Sequence, residues 1–133
     1  MFNPKKIIVV TGGAGFVGSN LIKLLIKKTK FKIISLDNYS SGKESNHIKN
    51  KKIIYIRSHT KNISKTLKKY KSKINSIFHF GEFARIYQSF LKMDECIKSN
   101  HIGTYAVFNF CLLNNIKLIY SATSASLGNN GLD

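Results

Sequence analysis

Apolar runs of strand length alternate with longer, partly polar segments along the chain. Five runs stand out: Lys6–Thr11, Phe31–Asp37, Lys52–Arg57, Ile74–Phe80 and Lys117–Ala122. They are short, rich in β-branched residues and bounded by Gly, Asn, Ser or Lys, which predicts buried parallel strands. Between the first two, Gly15–Lys28 carries Val17, Leu21, Leu24 and Leu25 at helical spacing, with Lys23, Lys27 and Lys28 kept polar. That is the pattern of an amphipathic helix. Asn62–Lys71 predicts a short basic helix, and Phe90–Asn114 a longer one that Asn115 helps to end. The polar, glycine-containing stretch Asn38–Asn50 reads mostly as loop, and no internal repeat is visible.

Strands alternating with helices imply an α/β domain with a parallel sheet. Right-handed crossovers in a doubly wound arrangement give the strand order 3-2-1-4-5. Ligands of such sheets bind outside the carboxyl ends of the strands, where the order reverses between strands 1 and 4. The 133 residues fit one domain, and a 43% share of hydrophobic residues is enough for a core.

Charge adds a second class of partner to consider. Lys+Arg number 22 against 6 Asp+Glu, a formal charge of +16. Arg57 and Arg85 are the only arginines, and the lysines are scattered, with one dense run from Lys61 to Lys73. Nucleic-acid recognition prefers arginine for bidentate contacts, so a solvated lysine surface is the better reading and no nucleic-acid partner is expected. Cys96 and Cys111 lie in apolar helical patterns without metal-ligand spacing and are expected as buried thiols, with no metal site. The apolar run Ile7–Val10 is too short for a signal segment or a membrane span, so a cytoplasmic location and no membrane partner are expected.

The strongest chemical signal is Thr11-Gly12-Gly13-Ala14-Gly15-Phe16-Val17-Gly18, directly after the first strand and opening the first helix. Glycine at such a turn permits backbone angles that other residues resist. A loop without side chains lets a pyrophosphate reach the helix N-terminus, where free N–H groups and the dipole favour anions. Gly18 would let the helix pack closely on the sheet. About 20 positions on, at the end of the second strand, stands Asp37. A carboxylate there can accept from both adenosine ribose hydroxyls and would repel a 2′-phosphate. NAD is therefore favoured over NADP, although Lys43 nearby could soften the discrimination.

These motifs together resemble the extended short-chain dehydrogenase/reductases, and within them the NAD-dependent epimerase/dehydratase family of nucleotide-sugar enzymes. The likeness runs from T-G-G-A-G-F-V-G through L-D-N-Y-S-S-G and Ile77-Phe78-His79-Phe80-Gly81. It continues in Asn100-His101-Ile102-Gly103-Thr104 and in Tyr120-Ser121-Ala122-Thr123-Ser124-Ala125-Ser126-Leu127-Gly128. The resemblance implies a Rossmann-type sheet with NAD as cofactor and a nucleotide sugar as the complete protein's substrate. By position, Gly12, Gly15, Phe16 and Val17 would hold the pyrophosphate. Asp37, Asn38, Ser41 and Gly42 would surround the adenosine ribose. Phe80, Gly81 and Glu82, within the stretch from Phe80 to Ala84, would pass beside the cofactor, and Asn100 would face its nicotinamide half. Thr123 matches the family's catalytic Ser/Thr, which hydrogen-bonds the sugar's reacting 4-hydroxyl. The resemblance also implies that the complete protein could pair as a homodimer.

Several positions depart from the family's pattern. Ser58-His59-Thr60 stands where an aspartate often touches the adenine; His59 or Thr60 could replace it, or backbone could suffice. Glu82 stands where a small residue is usual; it could accept from a ribose or sugar hydroxyl, pair with Arg85, or point to solvent. Leu127 replaces the usual tyrosine. The family's base is the tyrosine of a helical Y-x-x-x-K. Its one formal match here, Tyr39 to Lys43, lies in the loop after strand two and is rejected as catalytic. The chain is thus expected to be the N-terminal NAD-binding part, residues 1–133, truncated after the fifth strand and lacking the later strands and the substrate domain. By itself it should not turn over substrate. Two other readings predict different behaviour. A non-catalytic, NAD-binding regulatory module would lack Y-x-x-x-K in the full gene product. A basic nucleic-acid-binding protein would show strongly salt-dependent binding that NAD does not affect.

Overall fold

A computed structural model describes residues 6–122. Its strands are β1 (Ile7–Thr11), β2 (Lys32–Asp37), β3 (Ile53–Arg57), β4 (Ile74–His79) and β5 (Lys117–Tyr120). All neighbours pair in parallel, in the order β3-β2-β1-β4-β5. The sequence pattern thus gives the right strands in the right order, with ends displaced by two residues at most. β1, Ile-Ile-Val-Val-Thr, is buried throughout. Alternate side chains point to opposite faces, so a central strand needs a cover on each.

The two covers are different. Ile8, Val10 and Ile33 pack against Ile22 and Leu25 of α1 (Phe16–Lys28). Ile7, Val9, Ile34, Leu36 and Ile77 pack against Ile63 and Leu67, and against Val107, Phe110 and Cys111 of the last helix. α1 closes with Lys27 and Lys28 in its final turn, where cations suit the helix dipole.

The basic segment differs from its expectation. It forms a 3-10 turn (Thr60–Asn62), a single turn α2 (Ile63–Thr66) and another 3-10 turn (Lys71–Lys73). Only Ile63 and Leu67 are completely buried there. The surrounding lysines leave no apolar stripe long enough to hold a longer helix to the core.

The helix expected over 90–114 is also redrawn. Lys92, at φ −131° and ψ 45°, separates α3 (Ile86–Leu91) from α4 (Met93–Cys96). From Met93 the chain stays helical through a π-helical segment, Ile97–Gly103, into α5 (Thr104–Leu113). A Cβ on Gly103 would run into Thr60 Oγ1, so glycine is what lets this helix approach the β3 connection. Cys111 is buried as expected, Cys96 only half so, and both are free thiols. No helix among the described residues is long and apolar enough to cross a membrane.

Candidate functional site

The carboxyl ends of the strands lie level with one another. Thr11 pairs with Leu36 on one side and with His79 on the other, Asp37 pairs with Arg57, and His79 with Tyr120. The glycine turn begins at this edge. Gly12 has φ +68°, its N–H donates to Leu36 O (2.9 Å), and a Cβ there would stand 2.7 Å from the carbonyl carbon and oxygen of Phe80. A Cβ on Gly18 would strike Gly12 O and the Gly13 Cα. Glycine is demanded by folding at both positions.

Gly15 is different. Its φ of −78° and ψ of 176° suit any residue, and a Cβ would meet only Gly12 O, at 3.2 Å. The remaining space around it is open. Gly15 also caps α1 without a side-chain hydrogen bond, and no acidic residue stands in the first turn. Ser19 N–H makes the first intrahelical bond, to Gly15 O (3.0 Å). The amides of Phe16, Val17 and Gly18 donate to no acceptor among the described residues. A helix start of this kind can accept an anion.

Asp37 is 7% exposed and braces this turn. Its Oδ2 accepts from Ala14 N–H (2.9 Å) and its Oδ1 from Tyr39 N–H (2.8 Å). Each oxygen keeps a lone pair for a further donor. The loop after β2 is tied back to the same turn, because Ala14 O accepts from Asn46 Nδ2 (2.8 Å) and Lys43 N–H (3.1 Å). Tyr39 takes φ +60°, and its hydroxyl meets His47 Nε2 at 2.9 Å. Arg57 lies over the Tyr39 ring, 4.4 Å from its centroid, and is bridged to Glu44 (2.9 Å). Burial, and then Asp37 and Glu44, push the Tyr39 phenol up. A catalytic base needs the opposite shift.

Two contiguous hollows line the edge. The smaller, about 60 Å³, is bordered by Asp37, Asn38, Ser40, Ser58, Thr60 and Gly81. The larger, about 740 Å³, is bordered by Phe16, Val17, Phe83, Asn100, Tyr120 and Ser121 among others. Gly12, Gly15, Ser41, Phe80 and Glu82 border both. The candidate residues therefore converge, with three qualifications. Gly42 borders neither hollow; it packs against Ala14, where a Cβ would come within 3.0 Å of Asp37 Oδ2. His59 borders a separate recess with Asn38, Lys92 and Lys98, and caps the turn that follows it by accepting from Lys61 N–H (3.2 Å). Thr123 lies outside the described residues.

Asn100 lines the larger hollow, yet both ends of its amide are engaged. Its Oδ1 accepts from Phe83 N–H (2.5 Å) and its Nδ2 donates to Phe83 O (2.8 Å). It thereby fixes the loop after β4, the wall of the groove.

The sequence offered no sign of the network beneath that wall. His79 is completely buried, with Thr11 Oγ1 at 2.6 Å from Nδ1 and Thr104 Oγ1 at 3.0 Å from Nε2. Thr104 donates to Glu82 Oε1 (2.8 Å), so it accepts from His79 Nε2–H, and Nδ1 accepts from Thr11. Thr11 Oγ1 in turn accepts from Phe80 and Gly81 N–H, at 3.2 and 3.1 Å. Tyr120 OH donates to the same Glu82 oxygen (2.9 Å). Burial lowers the His79 pKa, and Glu82 opposes this only in part, so the ring is neutral at neutral pH. Glu82 is not ion-paired with Arg85.

Comparison with known proteins agrees with this architecture. The sequence profile of the "NAD dependent epimerase/dehydratase family" matches residues 8–132. An ADP-L-glycero-D-manno-heptose-6-epimerase of Brachyspira hyodysenteriae is 35% identical over 93% of this chain and 39% of its own length. A UDP-N-acetyl-alpha-D-glucosaminuronate decarboxylase of Bacillus cytotoxicus is 30% identical over 93% of this chain and 38% of its own. The structure of a UDP-N-acetylglucosamine 4-epimerase from Methanobrevibacter ruminantium, in complex with UDP-N-acetylmuramic acid, superimposes with a TM-score of 0.80. It is 31% identical, with 98% of this chain and 42% of that one covered. The chain thus spans about two fifths of the length of these relatives.

Proposed function

Since the chain belongs to the NAD-dependent epimerase/dehydratase family, we propose that it is the cofactor-holding part of a nucleotide-sugar enzyme that works at C4 of the sugar. The observation that carries this reading is the combination at Gly15: open space in front of it, and three unengaged amides behind it at the start of α1. The backbone angles do not require glycine there, whereas close approach of a pyrophosphate does. The residues present fit a dinucleotide. Asp37, Asn38, Ser41 and Thr60 would face the adenosine half, and the larger hollow beside Asn100 and Tyr120 would take the nicotinamide half. Asp37 favours NAD, since its carboxylate would face a 2′-phosphate.

Bound NAD supplies a hydride acceptor that can return the hydride. The chain's own residues do the rest of what can be assigned to them. Gly12 and Gly18 shape the turn, the α1 amides would hold the pyrophosphate, and Asn100 fixes the wall through Phe83. Thr123 is the hydroxyl proposed to orient the reacting 4-hydroxyl of the sugar. Neither Tyr39 nor Tyr120 is poised as a base, because burial, the largest cause in each, raises both pKa values. The 133 residues by themselves are proposed to bind cofactor without turnover.

The relatives are a 6-epimerase, a decarboxylase and a 4-epimerase, so the 4-epimerase-like label rests on likeness and not on residues of this chain. The test is turnover of UDP-sugars by the complete gene product. Thr123→Val there should lower kcat by about 10²-fold or more while leaving NAD affinity intact. Unchanged turnover in that variant would remove Thr123 from the site, and a gene product without Y-x-x-x-K would favour the regulatory module instead.

A further inference from the structure

We propose that Glu82 is a ligand-binding residue of this groove, whose free carboxylate oxygen accepts from the ribose hydroxyls on the nicotinamide side of the bound dinucleotide. This rests on the cofactor reading above and adds a contact to it. Three observations carry the inference.

The first is position. Glu82 borders the larger hollow with Phe83, Asn100 and Tyr120, on the side assigned to the nicotinamide half, as well as the smaller one. The second is orientation. Oε1 receives the hydroxyl protons of Thr104 (2.8 Å) and Tyr120 (2.9 Å), which pins the carboxylate from two elements, α5 and β5. The third is unused capacity. Oε2 has no hydrogen-bond partner among the described residues, and no cation is paired with the group.

The hydroxyl and ring donors nearest to Oε2 are engaged elsewhere. Thr11 gives its proton to His79, His79 gives its own to Thr104, and Thr104 gives its to Glu82. Every proton in the chain runs toward one carboxylate oxygen. The other oxygen is acceptor-only and has no donor among the described residues. A phosphate would be repelled there, whereas a hydroxyl would make a charge-assisted bond. On the far side of the pyrophosphate from Asp37, the hydroxyl donors of a dinucleotide are those of the second ribose. Asp37 and Glu82 would thus divide the two riboses between them.

The test titrates the 133-residue chain with NAD, ADP-ribose and ADP by calorimetry, in the wild type, Glu82→Gln and Glu82→Ala. ADP carries the adenosine half and the pyrophosphate but no second ribose. Folding of each variant is checked by circular dichroism and its melting temperature. We expect both variants to bind NAD and ADP-ribose about tenfold to a hundredfold more weakly, as for loss of a hydrogen bond to a charged group. ADP affinity should stay within about twofold, a range that such a loss would exceed. Glu82→Gln keeps an acceptor for Thr104 and Tyr120, so the wall stays in place while the charge is lost. Equal weakening of all three ligands would make Glu82 a purely structural brace and overturn the proposal, as would unchanged affinities. Wild-type protein that binds ADP but gains nothing from the second ribose would overturn it too, leaving the adenosine site intact. Wild-type protein that binds none of the three would refute the cofactor reading and this inference with it.

Discussion

Replacing Gly15 by alanine should separate binding from folding. The backbone at Gly15, φ −78° and ψ 176°, is one alanine adopts freely. Its Cβ would approach one atom, Gly12 O at 3.2 Å, which needs to yield by a few tenths of an ångström. Against that small cost, alanine restricts the unfolded chain and stabilises by about 0.4–1 kcal/mol. The net effect on stability should be within about 1 kcal/mol of zero. Binding should respond otherwise. The methyl group enters the space in front of the Phe16, Val17 and Gly18 amides. Displacing a pyrophosphate from two of them forfeits about 1.5–3 kcal/mol each, or at least about 10²-fold in affinity. Gly12→Ala is the matched control. Alanine at φ +68° costs about 1–2 kcal/mol, and its Cβ would overlap the Phe80 carbonyl. A loss of about 3 kcal/mol or more is expected, because the obstacle is backbone. Urea denaturation and NAD calorimetry on both variants supply the comparison. A Gly15→Ala protein that binds NAD like the wild type, or that is as unstable as Gly12→Ala, would refute the reasoning.

Three further outcomes follow from side chains around the groove. Asp37→Asn puts an amide donor against Ala14 N–H or Tyr39 N–H, so it should lose about 1–3 kcal/mol of stability as well as NAD affinity; unchanged urea midpoints would show those two bonds to be dispensable. His79 is held neutral below its ordinary 6.5, so the unfolded chain takes up its proton first as pH falls. Stability should therefore drop below about pH 6.5 by up to about 1.4 kcal/mol per pH unit, and His79→Gln should remove that part of the slope; an identical slope in the variant would count against a neutral His79. His59, lowered chiefly by burial, adds a contribution of the same sign in both proteins. Burial pushes the Cys111 thiol up to about 11, so at pH 7.5 a thiol reagent should label the half-buried Cys96 and reach Cys111 only on unfolding. Equal labelling rates for the two thiols in the native protein would contradict the packing of α5.

Local signals made much of this legible in advance. β1, the glycine turn and α1 form one continuous stretch, and each piece carries its own pattern: apolar run, glycines, then 3.6-residue periodicity. Asp37 was legible because its meaning is a place, the end of β2. That its Oδ2 also braces the glycine turn was not, since Ala14 lies 23 residues away. The Glu82 network was hidden for the same reason, with partners 22 and 38 residues distant that meet only once β4, β5 and α5 are assembled. The break at Lys92 left no trace because apolar residues continue on both sides of it at helical spacing. The motif places Gly42 beside the ribose, whereas the atoms that a Cβ there would meet belong to Ala14 and Asp37.

The central claim is that the carboxyl edge of this sheet is an NAD site with the adenosine held at Asp37. Calorimetric titration of the chain with NAD and with NADP, at one ionic strength, tests it most directly. The account predicts saturable binding of one NAD per chain, with NADP weaker by about tenfold or more because its 2′-phosphate meets the Asp37 carboxylate. Absence of NAD binding by the folded chain, or equal affinity for the two dinucleotides, would contradict it.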